Sequence, residues 1–351
     1  MKSKDLKNIV KNKKPEVKTN ASRFFLFNLM SKIAQIIEDD MYANFIALLK
    51  SYKILGRILT GKLGDLYQDR NKLYFKNFFV DRDLYKLVKE DLEYFYPQYK
   101  NIRMTITKRG VMIYDNYQKN VFNVLLLTIH SGTWVPNSMA SKLNLLPTDR
   151  FKEEDIDTHK LYCSLVLEKN GIWIDNKQSR FVVDFNRDFD EAIYDDQSEE
   201  WLDIVWKESL TSKEKEEIAK SYREFYFTLT KLLDSYQFNI IFDGHSMKDL
   251  SGRPNISFGT KYIPQFYMPI VKSMQRKMIS LDYSPVALDN PYQGGNILNW
   301  LSLKFSNLFI IAMEINKKIY MTKDRTKSIK YKIQKISQDL REIFNIEIEE
   351  V

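Results

Sequence analysis

Three histidines carry the most specific chemistry in this sequence. His130 follows an apolar run in the segment IHSG, His245 follows another in FDGHSM, and His159 lies between them in EEDIDTHKLY. Imidazole is the commonest metal-ligating side chain. Two imidazoles and one carboxylate, with water in the fourth position, make a typical hydrolytic zinc site. The carboxylate could come from the acidic cluster that precedes His159, namely Glu153, Glu154, Asp155 and Asp157.

The same positions also have a purely structural interpretation. His130 and His245 could be hydrogen-bonded histidines at strand ends, and the acidic cluster could be a solvated loop. The chain has no compact HExxH motif that would favour metal binding. The positions of these residues therefore leave both interpretations open.

His130 and His245 both fall where a buried strand is predicted to end. Residues 121–129 (VFNVLLLTI) form a continuous apolar run with β-branched members, and residues 238–242 (FNIIF) form a second one. Such runs are typical of strands buried on both faces. Open α/β sheets bind their ligands beyond the carboxyl ends of the strands, so both histidines lie where a ligand crevice is expected.

The elements around these strands predict an α/β domain in which helices cover a parallel or mixed sheet. Further short strands are expected at 171–174 and 181–185. A helix before residue 238 has apolar residues at Ile218, Tyr222, Phe225, Tyr226, Leu229, Leu232 and Leu233. A final amphipathic helix has them at Ile329, Ile333, Ile336, Leu340 and Phe344.

The first hundred residues have a different character. Residues 1–20 are Lys-rich and predict a flexible basic arm, and residues 21–97 have mostly helical apolar spacing without His, Cys or a Gly-rich phosphate loop. We expect a helical cap or a dimerisation layer there, so a homo-oligomer stays open. The predicted division is a basic arm with a helical extension over 1–104, and an α/β domain with a C-terminal helix over 105–351.

Composition excludes several classes of protein. The 351 residues carry a net charge of +8 and are 44% hydrophobic, which is typical of a folded chain. The single Cys163 excludes an internal disulfide and a multi-cysteine zinc site, so a cytoplasmic protein is expected. No signal peptide is apparent, and the uncharged run over 120–141 is too interrupted by polar residues for a membrane span. The basic excess lies mainly at the ends of the chain, and no nucleic-acid partner is expected.

Seven segments in order make the chain resemble the N-formylglutamate amidohydrolase family. They lie within roughly residues 115–323 and read LLTIHSGTWVP, EEDIDTHKLY, SRFVVDFNRD, YREFY, FDGHSM, LDNPYQGG and AMEINKKIYM. The resemblance implies a zinc-dependent amidohydrolase with a fold similar to the zinc carboxypeptidases. The expected architecture is a three-layer α/β/α, zinc-exopeptidase-like fold with a central mixed sheet, plus the N-terminal helical extension.

The resemblance also implies one zinc per chain and a set of ligands. His130 and His245 match the metal-binding histidines of the family, and Asp155 is the best match to its acidic ligand. The family has an aromatic residue and a histidine after that aspartate, where this chain has Ile156 and Asp157. Glu154 and Asp157 therefore remain alternatives to Asp155.

Four further roles follow from the resemblance. Glu314, which interrupts the apolar run LFIIAMEI, would be the general base that takes a proton from water. Asn186 and Arg187 would grip a substrate carboxylate. Arg180 would be a second clamp or would stabilise the oxyanion, unless it forms a structural ion pair with Asp184 or Asp188. Substrate contacts are also expected from the turn that contains Tyr292 and Gly294, although a simple hairpin would look the same.

The resemblance predicts a hydrolase that cleaves the amide of an N-acyl, and in particular N-formyl, amino acid such as N-formylglutamate by direct attack of water. Its partner would be a small N-acyl amino acid or a short peptide. The alternatives are a carboxypeptidase-like metallopeptidase acting on small peptides, a basic binding protein that retains the fold without catalysis, and a family member that has lost turnover.

Overall fold

The structure is a computed structural model that describes residues 81–95, 98–99, 102–107, 109–116, 123–167, 171–194 and 204–347. The predicted basic arm and the predicted helices before residue 81 lie outside these ranges. The last part of that predicted stretch is helical, since α1 spans Arg82–Phe95. None of the helices in the described ranges combines the length and apolar composition that a membrane crossing needs.

The core of the fold is a mixed sheet of eight strands in the order β1-β2-β4-β3-β5-β8-β6-β7. The central strands β4, β3, β5 and β8 are parallel. At one edge β1, β2 and β4 pair antiparallel, and at the other β6 pairs antiparallel with β8 and parallel with β7. The strands are β1 Ile102–Ile106, β2 Val111–Asn116, β3 Val124–Thr128, β4 Gly171–Asn176, β5 Ile240–Met247, β6 Ile256–Gly259, β7 Val286–Leu288 and β8 Phe309–Asn316.

Helices cover both faces of this sheet. After α1 they are α2 Asn137–Ala140, α3 Pro147–Glu153, α4 Thr158–Tyr162, α5 Ser164–Leu167, α6 Ser212–Ser235, α7 Met268–Ser280, α8 Asn296–Lys304, α9 Lys317–Tyr320 and α10 Lys330–Glu347. Alternate residues of β3 enter different cores, Leu126 on the side of α1, α4, α5, α7 and α10, and Leu125 on the side of α6 and α8. The predicted three-layer α/β/α fold with a mixed sheet is confirmed.

Most of the elements predicted around the histidines are present. The apolar runs at 121–129, 171–174 and 238–242 become β3, β4 and β5, each buried along its whole length. The helix predicted before residue 238 is α6, whose Thr211 and Glu214 form a capping box at its start. The final amphipathic helix is α10, which packs against α4 and α5.

The strand predicted at 181–185 is wrong. This segment forms successive turns, in which the amides of Val182 and Val183 donate to the carbonyl of Ser179 and the amide of Asp184 donates to that of Ala192. Phe181, Val182, Val183 and Phe185 are nevertheless buried in the core beside α6. Apolar residues can pack in the core from a turn as well as from a strand, so a run of apolar residues alone does not distinguish the two.

Candidate metal centre

The carboxyl edge of the central strands brings together two histidines and one aspartate. His130 is the second residue after β3, His245 lies near the end of the neighbouring β5, and Asp155 lies between α3 and α4. The loops contact each other, because the Asp155 amide donates to the His130 carbonyl at 3.1 Å. One ligand atom from each of the three side chains lies within 4.8 Å of the others, and all three residues are buried.

Both imidazoles present the same nitrogen to Asp155. Its Oδ2 atom lies 3.1 Å from Nδ1 of His245 and 3.9 Å from Nδ1 of His130. Two imidazole nitrogens and a carboxylate oxygen that converge in a buried space are the donor set of a hydrolytic zinc site. The chemistry of the three side chains therefore fits a zinc ion.

A second carboxylate faces the other nitrogen of each imidazole. Nε2 of His130 lies 2.7 Å from Oδ1 of Asp184, and Nε2 of His245 lies 2.8 Å from Oδ2 of Asp243. A carboxylate that accepts the Nε2 proton fixes the ring and leaves the Nδ1 lone pair for a metal. Asp184 hydrogen-bonds the His130 ring in this way, while Asp243 forms a close ion pair with His245, so each ring has a carboxylate at the nitrogen that does not face Asp155.

The two histidines differ in charge when no metal is bound. Burial and the charge of Arg180 lower the pKa of His130. Burial also opposes the charged form of His245, but Asp243 and Asp155 outweigh it and raise the pKa of that imidazole well above its usual value. Burial favours protonated Asp155, yet the hydrogen bond and charge of His245 hold the pKa of the carboxyl below its usual value. The metal-free centre is therefore a neutral His130 beside an Asp155–His245 ion pair.

Of the acidic candidates, Asp155 is the one that faces the histidines. Glu154 points away and accepts a hydrogen bond from the hydroxyl of Ser179. Asp157 directly precedes α4, and its carboxylate accepts hydrogen bonds from Lys160 and Ser328. Glu154, Asp155 and Asp157 thus have different partners, and the sequence alone does not distinguish these three neighbouring carboxyl groups.

Glu314 lies on β8 directly opposite His245 in the strand register. It is 9% exposed, and burial raises the pKa of its carboxyl to about 8; the charge of His245 opposes this shift, while Asp155 and Asp243 add to it. A carboxyl group whose pKa lies near neutral can both accept and return a proton at working pH. The position and the acidity of Glu314 therefore suit a general base beside the centre.

Asp184 gathers Arg180, Asn186 and Arg187, three of the residues that the sequence predicts to act on the substrate. Its carboxylate lies 2.8 Å from Nη2 of Arg180 and 3.8 Å from Nε of Arg187, and it accepts the backbone amide of Asn186 at 3.0 Å. The ion pair with Asp184 that the sequence left open for Arg180 is present. Tyr194 adds to the cluster, because its hydroxyl donates to Asp184 and its ring lies 5.1 Å from the guanidinium of Arg187.

The glycine turn reaches this cluster through Gly295. A Cβ atom at Gly295 would lie 2.1 Å from the side-chain nitrogen Nδ2 of Asn186. The Oδ1 atom of the same side chain accepts a hydrogen bond from the backbone amide of Ile297 at the start of α8. Gly294 adopts φ 128 and lies against Tyr262 and Leu298. Tyr292 is 45% exposed, and its ring lies 5.3 Å from the guanidinium of Arg253. The turn therefore reaches the predicted substrate residue Asn186 through Gly295.

Sequence reasoning missed the carboxylates that hold the histidines. Asp243 stands two residues before His245 and therefore on the same face of β5, which is a signal that strand alternation provides. Asp184 gives no such signal, because it reaches His130 from a turn 54 residues later in the chain. The third histidine, His159, lies outside the centre and binds Asp91 of α1 at 2.8 Å.

Fold and site together define an α/β/α protein with a candidate metal centre at the carboxyl edge of a mixed sheet. Residues 122–321 match the model of the family N-formylglutamate amidohydrolase, which is more than half of the chain. The chain belongs to this family, which supports a hydrolase that acts on amides.

Solved structures show the same fold at low sequence identity. An N-formylglutamate amidohydrolase from Ralstonia eutropha JMP134 superposes with a TM-score of 0.57 and 15% identity, over 69% of this chain and 98% of that one. A gene product of Agrobacterium tumefaciens has a TM-score of 0.53 and 15% identity, over 70% of this chain and 97% of that one. A comparison with curated proteins finds no match.

Proposed function

We propose that this protein is a zinc-dependent hydrolase that removes the acyl group, in particular formyl, from an N-acyl amino acid such as N-formylglutamate. The observation that carries the proposal is the buried group of His130, Asp155 and His245, in which each imidazole has a carboxylate on its Nε2 side. The family match supports the amide as the bond that is cleaved.

The candidate metal ligands and Glu314 have separate roles in the proposed reaction. A zinc ion held by His130, Asp155 and His245 would polarise the amide carbonyl and make the attacking water more acidic. Glu314 takes the proton from that water as it attacks the carbonyl carbon, and then gives the proton to the departing amine. Since water attacks directly, the chain supplies no nucleophile of its own.

Arg180 and the Asn186–Arg187 pair act on the negative charges of the reaction. Arg180 keeps its ion pair with Asp184 through Nη2, and the same guanidinium stabilises the oxygen that becomes negative when water adds to the amide. Arg187 forms paired hydrogen bonds with the substrate carboxylate, and the side-chain NH2 of Asn186 donates a further one. Asp184, which contacts all three residues, fixes their arrangement relative to His130.

The first test measures metal content and metal-dependent deformylation together. We expect about one zinc per chain in protein purified without chelator or His tag, and almost none in the His130→Ala/His245→Ala double variant. Formate release from N-formyl-L-glutamate should require that zinc. N-acetyl-L-glutamate, N-formyl-L-methionine and a short unblocked peptide are the comparison substrates.

Each arm of the test has an outcome that contradicts a different part of the proposal. A wild-type protein that takes up no zinc from zinc-replete medium would overturn the metal assignment. Zinc-loaded protein that cleaves the peptide but no N-acyl amino acid would overturn the substrate class and favour a metallopeptidase.

A further inference from the structure

A buried charge network connects α1 to both loops that carry the candidate metal ligands. Its members are Asp91 on α1, His159 on α4, Lys177 after β4, and Asp175 at the end of β4. All four are buried, with exposed fractions between 0% and 6%. The mechanism proposed above uses none of them.

Asp91 stands at the centre of the network. One carboxylate oxygen lies 2.8 Å from Nε2 of His159, and the other forms an ion pair with Lys177 and accepts a hydrogen bond from the hydroxyl of Tyr114 at 3.2 Å. Lys177 also forms an ion pair with Asp175. A buried ammonium between two carboxylates is satisfied only while both partners stay in place.

The first arm of the network ends beside His130. Asp175 accepts hydrogen bonds from the hydroxyls of Ser131 and of Thr128, the latter at 2.6 Å. Ser131 follows His130 directly in the chain. Asp175 therefore fixes the backbone on the carboxyl side of this histidine.

The second arm ends beside Asp155. His159 lies on the short helix α4, whose first residue, Thr158, donates both its amide and its hydroxyl to the carbonyl of Asp155. The contact of Asp91 with His159 therefore restrains α4 and, through Thr158, also restrains Asp155. The ion pair between Asp91 and Lys177 thus connects the loop that carries His130 with the loop that carries Asp155.

We propose that Asp91 and Lys177 are positioning residues that set the separation between the loops of His130 and Asp155. Helix α1 lies outside the residues that match the family, so this chain supports its centre with a part of the molecule that the family match does not include. The inference rests on the proposed function only in that the positioned groups are metal ligands.

Hydrogen exchange of the metal-free protein tests the positioning directly. Asp91→Asn removes a charge that both arms need, so we expect faster amide exchange in peptides covering 129–134 and 155–160, with β5 and α6 unchanged. Asp339→Asn is a matched control, because Asp339 is also a buried helical aspartate that binds a tyrosine hydroxyl, that of Tyr283, and a lysine, Lys335.

Metal affinity gives a second readout. With zinc as the probe and a chromophoric chelator as the competitor, Asp91→Asn should bind zinc about 10- to 100-fold more weakly than wild type, the usual effect of losing a residue that orients a ligand. Asp339→Asn should stay within about twofold of wild type. Ser131→Ala is the second variant in case Asp91→Asn does not fold, because it keeps every charge of the network. In Ser131→Ala we expect faster amide exchange only in residues 129–134.

The outcomes separate this inference from the proposed function. Unchanged exchange in both loops of Asp91→Asn, or in the His130 loop of Ser131→Ala, would overturn the positioning role. A general rise in exchange, matched by Asp339→Asn, would overturn it too, since that indicates an unspecific loss of stability. Wild-type protein that binds no zinc would contradict the proposed function, while the exchange data would still decide the role of Asp91.

Discussion

At the scale of single residues, the candidate centre must change its protonation when it takes up a metal. Asp243 and Asp155 keep His245 protonated in the metal-free protein, and a protonated imidazole has no lone pair for a metal at Nδ1. Zinc has to displace that proton, so zinc and protons compete for one nitrogen.

We therefore expect zinc binding near pH 7 to release on the order of one proton from His245, and zinc affinity to fall as the pH is lowered. Titration calorimetry in two non-coordinating buffers with different ionisation enthalpies measures the released protons. Because Glu314 also holds a proton near this pH, its own release is removed from the count in a parallel titration of Glu314→Gln. Affinity that is independent of pH between 6 and 8 would contradict the assignment of His245.

Glu314→Gln separates metal binding from catalysis. The amide keeps the shape of the side chain but cannot take a proton from water, so kcat should fall by roughly 10²- to 10⁴-fold. Zinc content should stay at the wild-type value, because Glu314 is outside the group of three candidate ligands. Steady-state kinetics and metal analysis of the same preparation check both statements, and a variant with near wild-type kcat would show that another group is the base.

At the scale of elements, the sequence predicts what depends on local pattern and misses what depends on distant partners. The buried runs of β3, β4 and β5 and the amphipathic faces of α6 and α10 are visible in the sequence, and they place His130 and His245 correctly at the carboxyl edge. The segment at 181–185 looks like a strand because burial, and not backbone conformation, determines its apolar run. The contact of Asp184 with His130 is not visible in the sequence, since it depends on how that turn packs against β3.

The contact between α8 and the Asn186 turn gives an element-scale prediction. Gly295 has φ −94, which any residue adopts, so Gly295→Ala strains no backbone there; its methyl group would instead displace the Asn186 amide. We expect KM for N-formyl-L-glutamate to rise several-fold, with zinc content and kcat changed much less, because the proposed role of Asn186 is to bind substrate and not metal. Kinetics over a range of substrate concentrations measure the two parameters separately.

Gly252→Ala is the control for this variant. Gly252 lies in a turn with open space around it and has φ +81, so alanine there costs backbone strain without contacting Asn186. KM should stay at the wild-type value in this variant even if its melting temperature falls. An equal rise in KM in both variants would mean that Gly295→Ala acts through general stability.

At the scale of the whole molecule, the centre is a concentration of buried ionisable groups at the carboxyl ends of the central strands. Asp155, Asp184, Asp243, His245 and Glu314 are all buried at one edge of the sheet. Taking such groups out of water costs free energy, which the burial of apolar side chains in the two cores offsets. The free-energy cost of burying these groups should be largest when no metal is present to neutralise the carboxylates.

The stability of the metal-free protein should therefore depend on pH through Glu314. Its folded-state pKa is raised from 4.5 to about 8, so between these values the folded chain holds a proton that the unfolded chain has lost. This contribution is complete below pH 4.5 and is lost as the pH rises through 8, which amounts to about 3 kcal/mol between pH 5 and 8. Lys317, whose pKa burial lowers to about 8 from 10.5, contributes mainly above pH 8 and with the opposite sign.

Glu314→Gln isolates this effect, because glutamine resembles the protonated carboxyl at every pH. Urea unfolding of both metal-free proteins at pH 5, 6, 7 and 8 should show the variant gaining stability relative to wild type as the pH rises, with most of the gain above pH 6. Parallel curves would mean that Glu314 ionises freely in the folded chain, and its assignment as a buried general base would fail. The expected divergence would show that the proposed general base also makes the metal-free protein less stable at neutral pH.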